Sequence, residues 1–158
     1  MIQVKELALS QEHMEAWFTT INDGTYPMLQ AGGIVASIEP EFVSCSYEEK
    51  TLTLAFRAKD WELNPEHGLH GGILVTYLDT VFGFLCHYLA EQREVCTVSI
   101  NTSFLKPILL DDRVLCTAKV NSLGRTIVSM TGEARLERKN MLAGTANTTF
   151  MMINKLVK

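Results

Sequence analysis

The chain has 158 residues, of which 47% are hydrophobic and 20% charged, and a formal net charge of −4. These values predict one soluble globular domain over residues 1–158. They argue against a nucleic-acid partner, because such proteins usually carry a basic surface. The cysteines lack C-x-x-C spacing, so we expect buried thiols rather than disulfides or metal ligands. No secretory signal is visible, and we expect a cytoplasmic location.

The first third of the chain predicts a helical extension followed by a β-hairpin. Ser10 is a suitable N-cap for an amphipathic helix over residues 10–22, within an N-terminal extension of residues 1–32. Two strand-like segments follow and should pair with each other, at residues 34–47 and 51–56.

The longest apolar segment, residues 71–90, follows a loop rich in Gly and His and predicts a buried helix of about five turns. Asp79 lies in its middle, although Asp is rarely buried without a partner or a chemical role. A membrane span is the alternative for such a segment, but a central carboxylate is costly in a bilayer. The amphipathic strands predicted elsewhere also disfavour a membrane protein, so we expect no membrane partner.

Only strand signals follow this helix, at residues 95–105, 113–120, 126–136 and 142–153. Strands gathered without intervening helices predict an antiparallel α+β domain. Because a helix that is apolar on every face needs cover on every side, we expect a curved sheet that wraps around it. A second subunit would cover any side that remains apolar.

The start of the long helix and its carboxylate predict a catalytic site. Gly71 and Gly72 leave backbone N–H groups open at the positive end of the helix dipole, where they can polarise a carbonyl oxygen. Asp79 can act as a general base on water or attack an acyl carbon itself. Gly71 and Asp79 lie about 12 Å apart along one helix, which is too far for one reacting group. Two antiparallel helices across a two-fold axis would bring them together, which predicts an isologous dimer.

A resemblance to a known family rests on one motif, Asn64-x5-His70-Gly71-Gly72-x6-Asp79. The motif resembles that of the hotdog-fold acyl-CoA thioesterases, and more narrowly the phenylacetate-degradation-type (PaaI-like) branch. The likeness extends over about residues 34–153 and includes the run from Thr97 to Pro107. It implies a hotdog fold, thioester hydrolysis without a metal or separate cofactor, and coenzyme A as part of the substrate. It also implies a site at the interface of a homodimer, with two dimers assembled into a homotetramer.

The resemblance assigns a role to each matching residue. Asn64 would position the water or the thioester, and Gly71 would supply the oxyanion donor. Asp79 of the second subunit would be the base or nucleophile. Thr97 falls where related enzymes carry a Ser or Thr that holds the water or the carboxylate. His70 would shape the loop or contact the thioester.

Each of these residues also has a purely structural interpretation. The acid at position 79 could be a buried partner of a neighbouring hydroxyl, Thr76 or Thr80. The two glycines could form a simple helix-start turn. The candidate His, Asn and Thr could be an ordinary loop histidine, loop asparagine and strand residue.

The phosphates of coenzyme A require cationic partners. The candidate substrate-binding residues are Gly72 and two basic turns, Gly124-Arg125 and Arg138-Lys139. A solvated charged turn is the alternative for Arg138 and Lys139. An acyl-carrier protein could replace coenzyme A as the carrier. Two rival functions are an acyl-thioester dehydratase, which uses a differently spaced Asp/His pair, and a non-catalytic acyl-CoA sensor, which would lack the acid.

Overall fold

A computed structural model describes residues 9–153 as four helices and six strands. The helices are α1 Gln11–Thr19, α2 Pro27–Gln30, α3 Gly33–Ser37 and α4 Gly71–Leu89. The strands are β1 Glu41–Ser46, β2 Thr51–Arg57, β3 Glu94–Phe104, β4 Arg113–Leu123, β5 Ile127–Leu136 and β6 Met141–Ile153. Two 3-10 turns lie at Asp60–Glu62 and Glu137–Lys139.

The strands form one sheet in the order β1-β2-β4-β5-β6-β3, with every neighbouring pair antiparallel. The inward-facing residues of β2, β4, β5 and β6 are buried together with α4 in one core. The predicted α+β class and the curved antiparallel sheet around a central helix are therefore confirmed. The strand β3 follows α4 in the chain but pairs with β6, so it forms one edge of the sheet.

The helix α4 is long and apolar enough to cross a membrane by length and composition alone. Its interior residues instead contact the sheet, and 61% of its most apolar stretch is buried. The approach is close at Gly132 of β5, where an added Cβ would lie 2.7 Å from the Phe82 ring. Glycine at this position lets the helix sit against the strand, which explains how the sheet covers most of a helix that is apolar all round.

The prediction of a strand is wrong for the first half of residues 34–47. Its β-branched residues lie in the short helix α3, and the strand begins only at Glu41. Gly32 and Gly33 have positive φ angles of 74° and 72°, which turn the chain into that helix. The hairpin between the two predicted strand segments nevertheless forms, with a bulge in β1.

The N-terminal segment packs on the second half of α4. Ser10 caps α1, because its hydroxyl accepts a hydrogen bond from the His13 N–H at 3.1 Å. His13 Nδ1 lies 2.8 Å from the Tyr88 hydroxyl of α4, and the two rings stack. The part of the predicted extension that lies in residues 1–8 is outside the described residues.

The segment between β3 and β4 is held by a buried carboxylate. Asp112 is 6% exposed and accepts hydrogen bonds from Arg138 at 2.5 and 3.2 Å and from the Leu109 N–H at 2.8 Å. The Arg138 guanidinium lowers the pKa of Asp112 against the opposing effect of burial, and the Leu109 amide adds to this. Asp112 therefore anchors the 3-10 turn after β5 to the segment that precedes β4.

We expect acid to weaken this anchor. The folded-state pKa of Asp112 is lowered, so its contribution is present above the ordinary Asp range and is lost as the pH falls through the folded value. The variant Asp112→Asn should be less stable than the wild type at neutral pH. The difference in the free energy of unfolding between the two proteins should narrow below about pH 4. Urea unfolding at a series of pH values measures both effects.

The neighbouring Asp111→Asn variant is the matched control for this prediction. Asp111 is exposed, and its carboxylate has no hydrogen bond or ion pair within residues 9–153. Its φ angle of 65° also suits asparagine. A stability gap for Asp112→Asn that did not change with pH would contradict the role assigned to the carboxylate.

Candidate active site at the start of helix α4

The first turn of α4 leaves one backbone donor open. The Gly72 N–H donates to His70 Nδ1 at 2.9 Å, and the Ile73 and Leu74 N–H groups donate to the His70 carbonyl at 2.9 and 3.2 Å. Within residues 9–153, the Gly71 N–H has no hydrogen-bond partner. Of the four orphan donors at a helix N-terminus, Gly71 therefore supplies the one available to a ligand.

His70 is the N-cap of α4, with extended backbone angles and its ring turned back onto the helix. Because Nδ1 accepts from an amide, the proton of the neutral ring lies on Nε2. The expectation that Gly72 offers an open N–H to substrate is wrong for this conformation, because the His70 ring occupies that donor. Residue spacing alone could not reveal a side chain that bends back over two residues.

A cavity of about 400 Å³ opens beside the Gly71 amide. Its wall combines apolar side chains with exposed polar groups, and the lining residues are Asn64, Gly68, Leu69, Gly71, Leu74, Phe104, Leu105, Lys106, Pro107 and Ile108. The Phe104 ring lies 3.3 Å from where a Cβ at position 71 would be, so glycine allows this close approach. A cavity that combines apolar side chains with polar groups able to orient a ligand is typical of a small-molecule site.

Asn64 lies in this cavity and also shapes the loop. Its side-chain oxygen accepts hydrogen bonds from the Glu66 N–H at 2.9 Å and the Gly68 N–H at 3.1 Å. This is the turn-forming role of an Asx residue. The amide NH₂ group has no hydrogen-bond partner within residues 9–153, and it remains available as a donor.

Asp79 is half-buried and accepts a hydrogen bond from the Thr97 hydroxyl of β3 at 2.7 Å. The hydroxyls of Thr76 and Thr80 donate instead to backbone carbonyls one turn earlier in the helix. The alternative in which a neighbouring helix hydroxyl satisfies the carboxylate is therefore not observed. The structure brings Asp79 and Thr97 together across 18 residues of sequence.

Asp79 lies on a stripe of α4 that the sheet leaves partly uncovered. We call this set the open stripe: Gly72, Thr76, Asp79, Gly83 and His87. Burial lowers the pKa of His87. Neither Asp79 nor Thr97 lines the cavity beside Gly71. One chain therefore carries two separate half-sites, a donor with a cavity and a carboxylate with a hydroxyl.

The basic residues predicted to bind phosphate lie in two different places. Gly124 and Arg125 line a second cavity of about 420 Å³ near the end of α4. Arg138 is paired with Asp112, and Lys139 is exposed in the turn at the other end of β5. The ten residues of β5 separate the two turns by roughly 30 Å. They cannot hold the same phosphate within one chain.

Three residues near the Gly71 cavity were not predicted from the sequence. Lys106 lines the cavity directly, while Glu62 and Tyr77 are buried behind the loop. Lys106 follows Phe104, the last residue of β3, by two residues, and this position could have identified it as a candidate site residue. No group of three metal-binding side chains is found among the described residues.

Comparison with known proteins gives a partial family match and a shared fold. Residues 67–143 match the family model of the thioesterase superfamily. No curated protein sequence matches the chain at a significant level. Three solved structures share the fold, each less than 25% identical to the chain.

The first is PaaI of the E. coli phenylacetic acid degradation operon, with 18% identity, a TM-score of 0.74, and coverage of 92% of this chain and 97% of that chain. The thioesterase HI1161 from Haemophilus influenzae has 21% identity, a TM-score of 0.74, and coverage of 96% and 95%. A hypothetical thioesterase from Streptococcus pneumoniae, solved with coenzyme A, has 19% identity, a TM-score of 0.71, and coverage of 80% and 95%. Over residues 67–143 the chain matches the thioesterase superfamily, and its six-stranded antiparallel sheet around a central helix has the hotdog fold of these structures.

Proposed function

We propose that the protein is a cytoplasmic acyl-CoA thioesterase of the PaaI type, which hydrolyses a thioester to a free acid and coenzyme A. The observation that carries the proposal is the hydrogen bond of 2.7 Å from Thr97 to Asp79. It fixes a half-buried carboxylate on the open stripe, with its second oxygen left for water or an acyl carbon. The match of residues 67–143 to the thioesterase superfamily supports the same reaction.

The hydrolysis needs a nucleophile and no oxidant or metal. With Asp79 as the general base, its free oxygen takes a proton from water while the water oxygen bonds to the acyl carbon. The resulting tetrahedral intermediate collapses by breaking the carbon–sulfur bond, and the thiolate takes up a proton on leaving. With Asp79 as the nucleophile, its oxygen bonds to the acyl carbon, the carbon–sulfur bond breaks and the thiolate leaves and takes up a proton. Water then cleaves the acyl-aspartyl anhydride to the free acid and the Asp79 carboxylate.

The Gly71 N–H would stabilise the negative charge that develops on the carbonyl oxygen. It is unpaired within the described residues and lies at the positive end of the α4 dipole. The Asn64 NH₂ group lies in the same cavity and would orient the thioester or the water. His70 would act indirectly, because its ring caps Gly72 and leaves Gly71 as the available donor.

The active unit would be a homodimer, since Gly71 and Asp79 of one chain are about 12 Å apart. Two surfaces support this arrangement. The open stripe of α4 includes Asp79, and β3 beside it is an edge strand with Val98 and Phe104 each 57% exposed. Pairing these surfaces across a two-fold axis would bring Gly71 of one subunit to Asp79 of the other. Two dimers would form the homotetramer.

Coenzyme A is the proposed carrier of the acyl group, and the Streptococcus pneumoniae thioesterase solved with coenzyme A supports this choice. Lys106 in the wall of the Gly71 cavity offers a cation for a phosphate group, as does Arg125 near the end of α4. Because Arg138 is engaged by Asp112, we expect it to contribute less. We propose no separate cofactor and no metal.

Removing the carboxylate should abolish most of the activity. We expect Asp79→Asn and Asp79→Ala to lower kcat by about 10²–10⁴, the range for loss of a general base. The assay measures the free thiol that is released when short-, medium-, long-chain and aryl acyl-CoAs are hydrolysed. Near-normal turnover in both variants would contradict the mechanism. A wild type that binds coenzyme A without hydrolysing any thioester would be a sensor.

The Thr97 hydroxyl should matter through the carboxylate. Thr97→Val keeps the side-chain volume but removes the hydrogen bond to Asp79, so we expect kcat to fall about tenfold, as for one hydrogen bond to a charged group. Thr97→Ser keeps the hydroxyl and is the matched control, with activity close to the wild type. Equal activity in the Val and Ser variants would show that the hydroxyl has no role in turnover.

A site shared between chains can be tested by mixing defective subunits. Asn64→Ala and Asp79→Ala subunits are each expected to be inactive alone. A random mixture should recover up to about a quarter of the wild-type activity, because half of the dimers are mixed and each contains one intact site. Mass spectrometry of the mixture verifies subunit exchange. Exchange without recovered activity would place the whole site within one chain.

A further inference from the structure

A buried carboxylate that the proposed mechanism does not use lies in the segment that precedes α4. Glu62 is 1% exposed, and its Oε2 accepts hydrogen bonds from the Tyr77 hydroxyl at 2.5 Å and the Lys59 N–H at 2.9 Å. Its Oε1 is buried without a partner within the described residues. A carboxylate in this environment is costly, so it needs an explanation beyond filling space.

The backbone of Glu62 closes the loop that carries the site. Its carbonyl accepts a hydrogen bond from the His70 N–H at 2.9 Å. The next residues inward along the loop, Leu63 and Leu69, form a β-bridge. The next hydrogen bond, from the Asn64 N–H to the Gly68 carbonyl, is 2.7 Å long. Residues 62–70 therefore form a narrow closed loop, and we call them the site loop. Glu62 and His70 are its base.

The side chain of Glu62 attaches this base to the central helix. Tyr77 lies six residues after Gly71 on α4, is fully buried, and stacks on Phe56 of β2 with ring centroids 4.3 Å apart. Burial and the Glu62 carboxylate raise the pKa of Tyr77, so the phenol keeps its proton and remains a donor. The site loop is thus joined to α4 at two points, through the His70 cap and through Tyr77.

We propose that the Glu62–Tyr77 hydrogen bond is a positioning contact that sets the placement of the site loop relative to α4. Through it, the Asn64 amide and the Gly71 N–H keep the spacing that a thioester carbonyl requires. Glu62 and Tyr77 are positioning residues, since neither lines the Gly71 cavity. This inference rests on the proposed thioesterase activity for its kinetic consequence, but not for its structural one.

The first test removes one hydroxyl. Tyr77→Phe keeps the ring and its stack on Phe56, so the core stays filled. We expect kcat for acyl-CoA hydrolysis to fall about tenfold with little change in KM, because a small misplacement of reacting groups has a large effect on rate. Amide hydrogen exchange in residues 62–72 should become faster. Both are measured well below the melting temperature, where each protein is fully folded.

Tyr88→Phe is the matched control on the same helix. It removes another buried Tyr hydroxyl, whose hydrogen bond to His13 is 2.8 Å long and lies away from the site loop. We expect it to leave kcat and the exchange of residues 62–72 unchanged. An equal kcat loss in Tyr77→Phe and Tyr88→Phe would show that general destabilisation is responsible, which would overturn the proposal.

A double variant separates position from stability. Glu62→Gln combined with Tyr77→Phe removes the contact, keeps an acceptor for the Lys59 N–H and leaves no unpaired charge in the core, so folding should be preserved. The proposal requires this variant to melt near the wild type and still show the lower kcat. Full activity in the stable double variant would overturn it.

The outcome for the proposed function is distinguishable from the outcome for this contact. If the wild type hydrolyses no acyl-CoA, the thioesterase proposal fails. The exchange comparison still decides whether Tyr77 holds the site loop. If the wild type is active and Tyr77→Phe speeds exchange without lowering kcat, the positioning role fails while the thioesterase proposal stands.

Discussion

The packing of α4 inside the sheet is the constraint on which the other features depend. The helix is apolar on nearly every face, and a single flat layer would leave much of it in water. The curved sheet covers most of it, and glycine at position 132 lets the Phe82 ring meet β5 without a clash. The same packing fixes the direction of the helix, so the Gly71 amide lies at one end and the open stripe along one side.

The site combines features that each have a structural cause. Glycine at position 71 admits the Phe104 ring, the His70 ring takes the next amide, and Thr97 reaches Asp79 from the neighbouring strand. These contacts leave one helix donor and one carboxylate oxygen without partners among the described residues. Most buried polar groups in native proteins are paired, and these two groups are candidates for contact with a ligand.

Local patterns in the sequence were sufficient for the fold class, whereas the roles of the candidate site residues stay predictions. The 3.6-residue and two-residue periodicities predicted α4 and the later strands, and the Gly-Gly and Asp79 spacing predicted two half-sites. The prediction of a strand from residue 34 was wrong, because Ile and Val favour strands locally while Gly32 and Gly33 turn the chain into α3. Composition does not contain that information.

The remaining errors and omissions involve partners distant in sequence. The sequence made Arg138 a candidate for binding phosphate, because it does not reveal the pairing of Arg138 with Asp112, 26 residues earlier. Glu62 was not predicted, because nothing nearby in the chain indicates that Tyr77 meets it in the core. Hydrogen bonds of this kind depend on the completed fold, so single-sequence patterns do not reveal them.

The free edge of β3 has a consequence for the solubility of the isolated chain. An edge strand with unpaired backbone groups is a template for any other β-segment, and natural proteins protect such edges with Lys, Pro or bulges. Glu94–Phe104 contains neither Lys nor Pro, and its protective feature is the irregularity in pairing between Thr97 and Ser99, where Val98 is exposed. An isolated chain with this edge uncovered would be exposed to aggregation, and its solubility should depend on the integrity of that edge.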